Sequence, residues 1–67
     1  MSTNTRSVPL RRLVLVAEAA VTDPALREEM ASLRRYYGVR HCNDASWLRG
    51  QHAAGLRKAL ESLIARS

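Results

Sequence analysis

The sequence predicts an all-α fold, with two or three short helices forming a helical hairpin that assembles as a homodimer. Three observations point there. Apolar residues recur at helical spacing between residues 24–37 and again between 45–65. Asp23-Pro24 and Gly38 carry the chemistry of a helix start and a helix stop. Finally, the chain has 67 residues, one cysteine and no Phe. A single core of that size supplies roughly 3–5 kcal/mol. No intrachain disulfide can add to it, so self-association is the expected compensation.

Residues 1–7 are polar and without periodicity, which predicts a disordered tail ahead of one helical domain at 8–67. Ser7 suits an N-cap, and Val8-Pro9 suits a first turn, where a missing N–H costs nothing. Leu10, Leu13, Ala17 and Val21 then repeat at helical spacing, so the first helix is expected at about Val8–Val21. Leu13-Val14-Leu15-Val16 is β-branched enough to keep a strand over residues 11–16 as the competing assignment.

The second helix is expected at Pro24–Tyr37. Asp23 caps it, Pro24 takes the first helical position, and Glu28 and Glu29 lie toward the positive end of the dipole. Leu26, Met30, Leu33 and Tyr37 form its apolar seam. Arg34 and Arg35 stand in the last turn, where cations are favoured, and Gly38 follows where a left-handed residue ends a helix. After a connection at Val39–Asn43, capped by Asn43 or Asp44, the third helix is expected at about Ala45–Ala65. Its stripe is Ala53, Leu56, Leu60 and Leu63. Gly50 and Gly55 each cost about 1 kcal/mol in a helix interior. Close approach of a neighbour would account for Gly55, and a kink or break would account for Gly50. Leu26, Met30, Leu33, Tyr37, Leu56, Leu60 and Leu63 are thus the expected core and dimer residues.

Eleven Lys and Arg against six Asp and Glu leave a net charge of +5. The excess suits an acidic partner, protein or nucleic acid, although the cations are spread along the chain and form no block. The one apolar run, Leu13–Val21, is interrupted by Glu18 and is far short of the roughly 20 residues that span a bilayer, so no membrane partner is expected. A lone cysteine and no signal-peptide pattern predict a cytoplasmic protein.

No catalytic constellation is visible. His41, Cys42 and His52 lack the paired spacing of a zinc site, and nucleophilic catalysis by Cys42 would need a pocket and an oxyanion hole. Gly38, Gly50 and Gly55 do not make a phosphate loop. The chain is therefore expected to be no enzyme and to need no cofactor or metal. The informative group surrounds the loop between the second and third helices, where every aromatic residue of the chain lies. Arg34, Arg35, Tyr36, Arg40, Trp47 and Arg49 are the expected partner-binding residues, because Trp, Tyr and Arg are enriched at interaction hot spots. Two readings of Trp47 stay open. On a continuous helix it points away from the leucine stripe as a binding anchor; with the helix broken at Gly50, it covers the end of the hairpin.

Protein binding is the leading function and DNA binding the alternative. A ribbon-helix-helix reading would place Arg12, Val14 and Val16 on one strand face, and valine cannot read base edges. A helix-turn-helix reading would put Ser46, Trp47, Arg49 and Gln51 at the start of a recognition helix spanning Asp44–Ala65.

The Arg- and Ala-rich composition, the small size and the hairpin Pro24–Ala65 with Tyr36, Tyr37 and Trp47 at its turn resemble small phage-encoded host-regulating proteins of the quorum-sensing anti-activator type. That resemblance implies a helical homodimer in the host cytoplasm. It would bind a LuxR-type transcription activator, block its DNA-binding region, and also inhibit the pilus assembly ATPase. The resemblance spans the whole chain without a diagnostic motif and assigns no individual residue. Because this chain is basic, such blocking would work by steric and hot-spot contacts and not by acidic mimicry of DNA.

Overall fold

A computed structural model describes residues 8–67. It contains three α-helices: α1 (Leu10–Ala20), α2 (Pro24–Tyr37) and α3 (Gly50–Arg66). A 3-10 helix, Cys42–Trp47, lies between α2 and α3. Among the described residues there is no strand, so residues 11–16 are helical and the ribbon architecture is removed. The expected tail and the Ser7 cap lie outside the described residues.

The first helix starts two residues later and ends one earlier than expected. Pro9 precedes it in extended backbone, and its carbonyl accepts from Leu13 N–H at 2.9 Å. At the other end Val21 turns extended (φ −85°, ψ 104°). The open carbonyls there are met by a cation from the next helix. Arg27 donates from Nη1 to the Val21 carbonyl at 2.9 Å and reaches that of Glu18 at 3.5 Å, satisfying groups that a helix C-terminus leaves unpaired.

The second helix has the predicted bounds. The Asp23 carboxylate accepts from Ala25 N–H at 2.8 Å. Gly38 is left-handed (φ 68°). Gly38 N–H then reaches the Arg35 carbonyl at 3.3 Å, and Val39 N–H reaches that of Arg34 at 2.8 Å. This pair of bonds closes a helix end and brings the next residue, Val39, back onto the core.

The third helix departs from expectation. Residues 42–47 tighten into the 3-10 turn, Leu48 and Arg49 run extended, and α3 begins at Gly50, not Ala45. Two local causes are evident. Asp44 accepts from two backbone amides, and Ser46 Oγ donates to the Asn43 carbonyl at 2.6 Å, so short polar side chains compete with helix propagation. Gly50 has φ 61°, a conformation that side chains with a Cβ resist.

Leu13, Val14 and Ala17 of α1 form one core with Val21, Met30, Val39, Ala45, Leu56, Leu60 and Leu63, each at most 5% exposed. Leu26, Leu33 and Tyr37 pack against it, half-buried. α3 packs on both α1 and α2, so the hairpin forms, and α1 packs also on the 3-10 turn. Across α2 and α3, Arg66 grips Glu29 with both guanidinium arms, at 3.2 and 3.3 Å. Met30, Leu56, Leu60 and Leu63 of the expected seams are thus buried within one chain, while Leu26, Leu33 and Tyr37 keep part of their surface open.

Candidate functional site

The chain from Gly38 to Gly50 builds the candidate surface. Asp44 organises it: its carboxylate accepts from Arg40 N–H at 2.8 Å and His41 N–H at 2.9 Å. These bonds, that of His41 first and that of Arg40 next, hold its pKa below the ordinary 3.8. Ala45, the next residue, is buried, and Trp47 at the end of the turn is 78% exposed. The helix is broken ahead of Gly50, yet the indole stands in solvent and covers no hairpin end. Arg49 folds back on the turn, donating to the Ser46 carbonyl at 2.5 Å and its neighbour's at 2.9 Å.

The structure separates the six expected partner-binding residues. Arg34 works inside the fold. It pairs with Glu18 of α1, donates from Nε to the Val39 carbonyl at 3.1 Å, and donates from Nη2 to the Arg40 carbonyl at 2.5 Å. Arg35 and Arg40 line, with Arg34, Ala31 and Gly38, an open cavity of about 540 Å³. Tyr36, also 78% exposed, lies elsewhere. It borders a shallow groove of about 350 Å³ with Glu29, Leu33, Ala59 and Arg66. Trp47 and Arg49 belong to the turn that rests on α1. The loop residues expected to act together thus occupy three neighbourhoods.

Tyr37 holds the hairpin together. Its ring meets Tyr36 edge-on at 4.9 Å between centroids and His52 at 6.4 Å. A Cβ built on Gly55 would lie 2.5 Å from the Tyr37 hydroxyl, which is the close approach that the glycine permits. Cys42 is half-buried and unpaired, and packs against the core. Among the described residues no three His, Cys, Asp or Glu side chains gather as metal ligands.

A third cavity, of about 440 Å³, was not anticipated. Pro9, Arg11, Arg12 and Leu15 of the α1 side meet Ser46 of the turn there. Arg11 also donates to Asn43 Oδ1 at 3.3 Å. Leu15 and Val16 are 47% and 42% exposed. Helical phase carried a signal for Leu15, which lies about 200° around the axis from Leu13. The meeting with Ser46 had no signal, being 31 positions away in the chain.

No protein-family model, curated protein or solved structure matches this chain. Among the described residues no helix is long and apolar enough to cross a membrane.

Proposed function

We propose that this chain is a non-enzymatic regulatory protein that binds and inhibits another protein, with Trp47 as its central anchor. The observation that supports this most is the 78% exposure of Trp47 beside a core that closes without it. An indole held in water by a capped, tightly bonded turn can contribute large apolar contact at little ordering cost when it meets a partner. We keep the homodimer as its assembly, with half-buried Leu26, Leu33 and Ile64 as apolar surface available to it.

Affinity capture with the tagged chain, in nuclease-treated lysate, tests the reading. Trp47→Ala should melt as the parent does and lose at least about 2 kcal/mol of binding to the captured protein, the usual hot-spot scale. A folded Trp47→Ala that binds as the parent does would refute the anchor. The resemblance to quorum-sensing anti-activators makes a LuxR-type activator and the pilus assembly ATPase the first partners to try. The +5 charge supports DNA binding as the second reading. Binding to duplex DNA with a slope near −0.9 per phosphate in log salt, and with no protein captured, would select it.

A further inference from the structure

We infer that the cleft between α1 and the 3-10 turn is a docking groove for an acidic, amphipathic peptide segment of the partner protein. The inference rests on the protein-binding reading and names the chemistry the partner must bring.

The first turn of α1 breaks a rule of helix electrostatics. The positive end of a helix dipole disfavours cations, yet this turn carries Arg11 and Arg12 and no acidic residue. Between Val8 and Ala17 there is no carboxylate at all, and Glu18, the next in the chain, is engaged by Arg34. Arg12 has no ion pair with another described residue. Two guanidinium groups and a helix N-terminus thus concentrate positive potential at one mouth of the cleft, where an arriving carboxylate is favoured by both.

The rest of the cleft is apolar or a hydroxyl. Pro9 and Leu15 line it with Ser46, and exposed Val16 and Trp47 follow Leu15 and Ser46 in the chain. An inorganic anion would have no use for this greasy border. A nucleic acid would find two cations and aliphatic side chains that cannot read base edges. A segment with Asp or Glu at the arginines and a Leu or aromatic residue over Leu15 matches both halves. A second copy of this chain matches poorly, because it would bring its own Arg11 and Arg12 to a basic surface.

The probe is a fluorescein-labelled helical peptide of alternating Leu and Glu turns, compared with the same peptide carrying Gln for Glu, and read by anisotropy on the full chain. The Glu peptide should bind at least about tenfold more tightly than the Gln peptide. Arg12→Glu should lose about tenfold, and Leu15→Gln about fivefold, with Arg12→Glu melting no lower than the parent and Leu15→Gln melting like it. Equal binding of the two peptides, or unchanged binding by both variants, would overturn the groove. So would duplex DNA binding tighter than the Glu peptide and lost in Arg12→Glu, or a dimer that Leu15→Gln dissociates. If both variants still capture the parent's partner and Trp47→Ala does not, the groove fails while the protein-binding reading stands. Peptide binding without any captured partner would remove that reading and keep the groove.

Discussion

Replacing Gly55 by Ala sets two physical effects against each other at one site, and the geometry decides the sign. Ala is better than Gly in a helix interior by about 1 kcal/mol. The new methyl, however, would arrive 2.5 Å from the Tyr37 hydroxyl, with the ring carbon behind it at 3.5 Å. The ring is held edge-on by Tyr36 and His52, so it cannot swing aside freely, and forcing a side chain off its place costs roughly 1–3 kcal/mol. Gly55→Ala should therefore leave the parent chain unchanged or less stable by up to about 2 kcal/mol. In a Tyr37→Phe background the hydroxyl is gone and an ordinary contact at 3.5 Å remains. There the helix preference should win, for a gain of about 1 kcal/mol. Urea denaturation of all four chains yields a coupling of about 1–3 kcal/mol, free of the separate cost of Tyr37→Phe. A coupling below about 0.3 kcal/mol would show that Tyr37 does not rest on Gly55, and would refute this packing of α2 on α3.

Arg34 and Arg35 are neighbours with opposite roles. Arg34→Ala should cost about 2 kcal/mol, since bonds to Glu18 and two carbonyls are lost, while Arg35→Ala should stay within about 0.5 kcal/mol; equal costs in thermal melts would reject the distinction. Asp44 has a pH signature. Its folded pKa is depressed, so its contribution is present above the unfolded value of 3.8 and is lost as pH falls through the folded value. Asp44→Asn should flatten the acid limb of the melting temperature against pH, and an unchanged limb would show that its bonds to the Arg40 and His41 amides do not act through charge. In light scattering a homodimer should give twice the 7.5 kDa mass of one chain, and the single-chain mass at tens of micromolar would refute it.

Local chemistry made the secondary structure largely legible. α2 could be read to the residue because its ends are settled within a few positions, by Asp23 and Pro24 at one end and Gly38 at the other. Met30, Leu56, Leu60 and Leu63 were legible as core because helical phase alone puts them on one face, and burial follows from phase. Gly50 was visible as a possible break. Its outcome depended on side chains that bond the turn, and such local competition is settled by where Val39 and Ala45 are drawn in the core. The roles of the arginines were decided only in three dimensions. Arg34 and Arg35 have the same chemistry and adjacent places, but one faces Glu18 across 16 positions and the other lines an open cavity. The groove at Arg11, Arg12 and Leu15 has the same origin. Sequence carries periodicity, caps and charge, which are properties of neighbours along the chain. Which side chains meet across α1 and the turn depends on how the helices cross, and that is a property of packing.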